Sequence, residues 1–166
     1  MEIRSISSFI DYYEKIRTRT KNVIAVVPPD RLDWTYKPGK YTIGDIIRHI
    51  ACIERYMYAE TVTGRKSSYR GCGISIASGY EKAIELFDVL HEESLTIFRS
   101  LSDDDLHKKC ITPGGSSITI WKWLRALIEH EVHHRGQLYI YLGMLDVRTP
   151  PIFGLTAEEL EYQSNI

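Results

Sequence analysis

Residues 120–145 read IWKWLRALIEHEVHHRGQLYIYLGML, the longest amphipathic segment of the chain. Its apolar residues recur at intervals that place them on one face of an α-helix, and these are Ile120, Leu124, Leu127, Leu138, Tyr141 and Leu145. Gly136 is the weakest helix former in the interior of the segment, and we expect it to allow close packing of a neighbouring helix. The segment is therefore predicted to form one long helix with a buried stripe.

The same periodicity predicts three further helices upstream. The first begins near Ile6 and is stopped by Pro28-Pro29. The second follows Thr42, a good N-cap residue, and ends near Thr63-Gly64. The third begins near Ser78 and is closed by the acidic run at 102–105. Helical periodicity with no strand-like alternation of useful length predicts an all-α protein.

Residues 63–78 read TGRKSSYRGCGISIAS and connect the predicted second and third helices. The segment is long and rich in Gly, Ser and charged residues. A link of this length is unusual between antiparallel neighbours in a bundle, and a crossover along the bundle explains it. We therefore predict a four-helix bundle, one domain over residues 1–166, with a long crossover between helices 2 and 3. The tail RTPPIFGLTAEEL, with Phe153 and Leu155, is expected to lie across the bundle as an ordered cap.

Composition excludes several classes of function. The formal net charge is -1, with 26% charged residues of both signs, so no basic field is predicted to attract nucleic acid or anionic lipid. The first ten residues alternate polar and apolar side chains, and no later apolar run could cross a bilayer. A cytoplasmic protein without membrane or nucleic-acid partners is expected. Three scattered cysteines suggest neither a disulfide framework nor a thiolate zinc site.

The histidines carry the main functional signal. His130 and His134 are four residues apart, so their rings leave the predicted fourth helix on the same side, whereas His133 lies off that line. Both rings fall within the apolar stripe, where two inward imidazoles are either metal ligands or hydrogen-bonded core histidines, and the spacing alone does not separate the two. His49, on the inner face of the second helix, can supply a third nitrogen. His91, on the third helix, is an alternative third ligand.

The sequence HEVHH at 130–134 also matches the HExxH pattern of zinc metalloproteases, with Glu131 as general base. Such a protease needs substrate-binding strands upstream, but the upstream chain is predicted to be helical. We therefore rank a protease as the less favoured alternative.

A three-histidine site with open coordination positions can activate water or bind a thiol as thiolate. For water activation, Glu131 beside the histidine pair or Glu54 beyond His49 is the candidate catalytic base. Arg135 and Gln137 are expected either to hold the imidazoles in place or to tie helix ends together. A metal- or ligand-binding bundle without catalysis is the alternative from a different functional class.

Two segments, VPPDRLDWTYKPGKYTIGDIIRHIACIERY (27–56) and HEVHHRGQLYIYLGMLDV (130–147), give the chain a family resemblance. The sequence resembles the DinB/YfiT-like family of metal-dependent enzymes. In that family one histidine follows the Pro-Gly-Lys-aromatic run. A pair of histidines four residues apart leads into Arg-Gly-Gln-Leu. The resemblance implies His49, His130 and His134 as metal ligands, and favours His49 over His91.

The resemblance also implies what such a site does. It implies a nickel, zinc or other divalent ion, and activities that include hydrolases and S-transferases that use a low-molecular-weight thiol. A small-molecule substrate is expected. Family members are often homodimers, and Trp34, Trp121 and Trp123 are the apolar side chains that we expect to be available for an interface.

Overall fold

The structure is a computed structural model that describes residues 2–164, except for the side chains of residues 157 and 158. Its long helices are α1 (Ile6–Ile24), α2 (Ile43–Ile53), α4 (Tyr80–Arg99) and α5 (Ile120–Met144). One π-helical turn (Glu54–Tyr58) and α3 (Ala59–Val62) extend α2. The shorter elements are 3-10 turns at Pro29–Arg31 and Asp103–His107, an antiparallel pair β1 (Lys109–Ile111) and β2 (Ser117–Thr119), and α6 (Ala157–Ser164).

Local hydrogen bonds explain where the helices begin. Thr42 caps α2 as predicted: its hydroxyl accepts a hydrogen bond from the Asp45 backbone at 3.0 Å, and the Asp45 carboxylate accepts one from the Thr42 backbone at 3.0 Å. Ser5 caps α1 by accepting from the Ser8 backbone at 3.2 Å. A second capping box, between Ser102 and Asp105, starts a 3-10 turn directly after α4.

Contacts at the two ends of the helices fix their directions. The pair α2 and α5 is antiparallel, because Tyr141 near the end of α5 bonds the Tyr41 carbonyl before α2 (3.1 Å), whereas Trp123 near its start bonds Thr61 (2.8 Å). The pair α1 and α4 is also antiparallel, since Phe9 packs on Phe98 while the Tyr80 hydroxyl bonds the carbonyl of residue 24.

The helices α2 and α4 run parallel. Arg48 in the middle of α2 bonds the backbone just before α4, and Glu54 directly after α2 bonds His91 near the middle of α4. Residues 63–79 must therefore return along the length of the bundle. The predicted all-α four-helix bundle and its long crossover are confirmed.

The core consists of two apolar clusters separated by a polar layer. One cluster lies around Phe9, Phe98 and Leu124, and the other around Ile47, Phe87 and Leu138. Between them each of the four helices contributes one buried polar side chain: Arg17, Glu54 from the π-helical turn, His91 and Glu131. The layer lies at the same level as His130 and His134.

Three expectations about local structure are wrong. The β1–β2 hairpin was not expected, because strands of three residues are too short to show an alternating pattern. Gly136 does not allow close packing within the chain, since a Cβ there would meet no atom within 4 Å. The tail does not bury its apolar residues, because Phe153 is 82% and Leu155 39% exposed. Among the described residues, every helix is too short or too polar to cross a membrane.

Candidate metal centre

Three imidazoles meet where α2 faces α5. The Nε2 atoms of His49 and His134 each lie 3.1 Å from Nε2 of His130. Among the described residues these three are the group of His, Cys, Asp or Glu side chains whose ligand atoms all lie within 4.8 Å of one another. The i, i+4 spacing on α5 and the inner-face position of His49 on α2 produce this convergence. The structure thus brings together the three histidines that the sequence singled out.

The spacing of the nitrogens fits one ion. Imidazole nitrogens bind zinc-like ions at about 2.0–2.1 Å, so two nitrogens on one ion lie roughly 2.8–3.4 Å apart at octahedral to tetrahedral angles. The observed 3.1 Å separations fall within that interval. His134 is buried, while His49 and His130 are partly exposed, so solvent reaches one side of the group.

Hydrogen bonding among the rings alone explains the arrangement less well. Nε2 of His130 faces two other Nε2 atoms at hydrogen-bond distance, but a ring nitrogen has one proton or one lone pair to offer. One of the two contacts would therefore be unsatisfied or bifurcated. The buried Nδ1 of His130 also has no hydrogen-bond partner in residues 2–164. A cation satisfies all three Nε2 lone pairs at once.

The imidazoles are neutral near pH 7. Burial lowers the pKa of His49 to about 4, with a smaller contribution from His134. Burial also lowers the pKa of His130 to about 3, assisted by the neighbouring histidines, and it lowers the pKa of His134. Their Nε2 lone pairs are therefore available to a metal without first losing a proton.

Two hydrogen bonds orient the rings from behind. Nδ1 of His134 lies 2.7 Å from the side-chain oxygen of Gln137, as expected for a residue that holds an imidazole in place. Nδ1 of His49 lies 2.9 Å from the hydroxyl of Tyr69. Arg135 instead bonds the Ile16 carbonyl at 3.2 Å and so ties α5 to α1. Gln137 therefore has the first of the two expected roles, whereas Arg135 joins the interiors of two helices and not their ends.

Glu131, Glu54 and His91 form a separate cluster. Both carboxylates are fully buried and contact the Arg17 guanidinium, Glu131 at 3.0 Å. Nδ1 of His91 is 2.8 Å from Glu54, so His91 belongs to this cluster and does not join the three converging imidazoles. The catalytic-base role of Glu131 and Glu54 stays a prediction, and their contacts with Arg17 give both a structural role.

Sequence reasoning missed the aromatic side chains around His49. Tyr69, from the crossover, and Tyr41, from the loop before α2, place their rings 5.8 and 5.5 Å from the His49 ring. Tyr69 has no helical register that could reveal its direction. The only available signal was that the crossover is long.

Comparison with known proteins agrees with this architecture. Three similar solved structures are a DinB-like protein from Bacillus cereus ATCC 10987 (16% identity, TM-score 0.77, covering 90% of this chain and 99% of that one), the DinB-like YjoA from Bacillus subtilis (17%, 0.71, 90% and 99%), and YfiT from Bacillus subtilis (18%, 0.67, 86% and 89%). YfiT is described as a probable metal-dependent hydrolase with an unusual four-helix bundle topology. At these identities the likeness shows the fold.

The family itself is shown by sequence. No curated protein matches this chain. The sequence model of the DinB superfamily, however, matches residues 12–138, which span all four long helices or most of each and include His49, His130 and His134. The chain therefore belongs to the DinB superfamily.

Proposed function

We propose that this protein binds one divalent metal ion through His49, His130 and His134 and uses it to hydrolyse a small-molecule substrate. The observation that carries the proposal is the convergence of three imidazoles, in which the Nε2 atoms of His49 and His134 each lie 3.1 Å from Nε2 of His130. The description of YfiT as a probable metal-dependent hydrolase supports hydrolysis as the proposed reaction. Zinc and nickel are the proposed ions because both accept imidazole nitrogen.

Three protein ligands leave coordination positions open. No fourth His, Cys, Asp or Glu joins the group within the part of the chain that the structure describes. A divalent ion held in this way supplies a Lewis acid that polarises a substrate carbonyl and lowers the pKa of water to about 7. The partly exposed side of His49 and His130 is where substrate would enter, beside the 46% exposed ring of Tyr41.

The metalloprotease alternative loses support. In an HExxH protease the glutamate faces the metal water, but Glu131 contacts Arg17 in the core. The third imidazole also comes from α2, upstream of the motif.

Metal analysis followed by an activity screen tests the proposed function. We expect about one zinc or nickel per chain after purification without chelator, and hydrolysis of small esters or amides that stops on chelation and returns with metal. Activity that requires an added low-molecular-weight thiol would instead indicate an S-transferase. A metal-loaded protein inactive in both screens would support the non-catalytic alternative, and a protein without metal affinity would contradict the site.

We further propose that the protein is a homodimer. Trp34 and Trp123 are engaged within the chain, where Trp34 packs on Tyr141 and Trp123 on Tyr58. The outer face of α5 offers a better surface, because Val132, Gly136, Ile140 and Met144 follow one another at i, i+4 and the three side chains are 39%, 59% and 56% exposed.

Light scattering checks the association and its surface. We expect a species of twice 19.2 kDa at micromolar concentration, and we expect Ile140→Glu to convert it to monomer by placing a charge in the apolar stripe. Lys15→Glu, on exposed α1 surface, is the matched control and should stay dimeric. A wild-type monomer at all concentrations would reject the dimer.

A further inference from the structure

The crossover between helices 2 and 3 is anchored beside the candidate metal centre. Arg48, directly before His49, is 1% exposed, and its guanidinium donates to the Cys72 carbonyl at 2.8 Å and to the Ala77 carbonyl at 3.1 Å. Asp45 holds the same guanidinium from its other side at 2.7 Å. A fully buried arginine thus attaches the second half of the crossover to α2, one residue from a candidate ligand.

The first half of the crossover is attached to the other end of the α2 segment. The Ser68 backbone donates to the Tyr56 carbonyl at 2.8 Å, and the Ser67 hydroxyl donates to the same carbonyl at 3.1 Å. The Tyr69 backbone in turn donates to the Ser67 hydroxyl at 3.3 Å. Tyr69 therefore lies between two attachment points, and its backbone position is set by α2.

The Tyr69 side chain contacts the back of the His49 ring. Its hydroxyl lies 2.9 Å from Nδ1 of His49, and the two rings meet edge to face with centroids 5.8 Å apart. When Nε2 of His49 binds the metal, its proton resides on Nδ1, and the Tyr69 oxygen is placed to accept it. With the hydroxyl as acceptor, this bond stabilises the tautomer whose Nε2 lone pair points at His130 and His134.

We propose that Tyr69 is a positioning residue for the metal ligand His49. Through Tyr69, the crossover contributes to the free energy of metal binding. The inference rests on the proposed three-histidine site. Partners that hydrogen-bond a ligand imidazole are typically worth roughly 10–100-fold in metal affinity. Because binding coupling is reciprocal, a crossover that strengthens metal binding must itself be stabilised when metal binds.

The substitution Tyr69→Phe removes the hydroxyl and keeps the ring. We expect its zinc Kd, measured by competition with a chromophoric chelator, to rise roughly 10–100-fold, while the melting temperature of the metal-free protein stays close to that of wild type. Tyr56→Phe is the matched control: it removes a hydroxyl from a partly buried tyrosine on the π-helical turn and should leave the zinc Kd unchanged.

Hydrogen exchange supplies a second measurement that a purely structural role would not change. Added zinc should slow amide exchange in residues 65–77 of wild type and of Tyr56→Phe, and this protection should be much smaller in Tyr69→Phe. An unchanged zinc Kd in Tyr69→Phe, or an equal loss in Tyr56→Phe, would overturn the role of Tyr69 and leave the metal site standing. A wild-type protein that takes up no zinc would overturn the metal site and this inference together.

Discussion

Replacing His49, His130 or His134 by Ala should abolish stoichiometric metal binding while the bundle still folds. Each substitution leaves two imidazoles, which cannot hold the ion against water and buffer, and all side chains of the two apolar clusters are retained. The measurement is metal content after dialysis, with thermal melting with and without added zinc or nickel. Metal at 100 times its Kd should stabilise wild type by about 2.7 kcal/mol, or about 5–10 °C, and should not shift these variants.

Two other histidines serve as controls for this prediction. His133 is exposed and its ring projects about 100° away from that of His134 around α5, so His133→Ala should keep the metal. His91→Ala should also keep it, because the His91 ring is bonded to Glu54. If His91→Ala loses the ion and His49→Ala retains it, the third ligand comes from α4 and the proposed site is wrong.

The bundle and the pairing of His130 with His134 were predictable because both depend on helical periodicity. Stripes at three- and four-residue spacing identify four helices and their inner faces, and i, i+4 geometry on α5 places His130 beside His134. The choice between His49 and His91 depends on which helix packs against α5, and the periodicity of the sequence does not show which helices are neighbours. Family resemblance favoured His49, and the structure shows why the two differ: α2 and not α4 lies against this part of α5.

The features that were missed depend on non-helical backbone or on packing between distant elements. The π-helical turn at Glu54–Tyr58 adds a residue to the helical turn and so changes the register of the side chains that follow Glu54, which a pattern of period 3.6 cannot reveal. Tyr69 reaches His49 from a segment without regular structure. Gly136 was expected to face a neighbouring helix, but apolar residues flank it on the outer face of α5 as well as the inner one.

The burial of Glu54 and Glu131 was missed because charged side chains are ordinarily expected at a helix surface. Both residues lie on the apolar stripes of their helices, seven residues after Ile47 and Leu124, but the cation that balances their charge is Arg17 from a third helix, which periodicity does not reveal. Arg17 is 2% exposed on the buried stripe of α1 and is itself stabilised in the core only by its partners. Burial disfavours its charge, but Glu131 and Glu54 together outweigh that effect and raise the pKa of Arg17.

The substitution Arg17→Met should therefore be the most destabilising change in the polar layer. It removes the only buried cation that contacts Glu54 and Glu131 among the described residues, and it leaves two carboxylates in the core. Breaking a buried ion pair from one side costs about 3–5 kcal/mol of unfolding free energy, or about 10 °C in melting temperature for a chain of this size. Denaturant unfolding at neutral pH measures it, with exposed Lys15→Met on the same helix as control, expected within about 0.5 kcal/mol of wild type.

The cause of this loss can be separated from lost packing by removing the stranded charges as well. Glu54→Gln and Glu131→Gln added to Arg17→Met should recover a large part of the stability, because the neutral amides are far cheaper to bury than unpaired carboxylates. The guanidinium carbon of Arg17 also lies 4.2 Å from the centre of the Phe87 ring, and Met replaces this cation–π contact with an apolar contact of similar reach. If the triple variant is as unstable as Arg17→Met alone, the loss of unfolding free energy arises from the changed shape of the side chain at position 17. The charge balance between Arg17 and the two carboxylates would then not be what stabilises the polar layer. Recovery would instead show that the two buried carboxylates, of which Glu131 directly follows His130, require Arg17 to remain in the core.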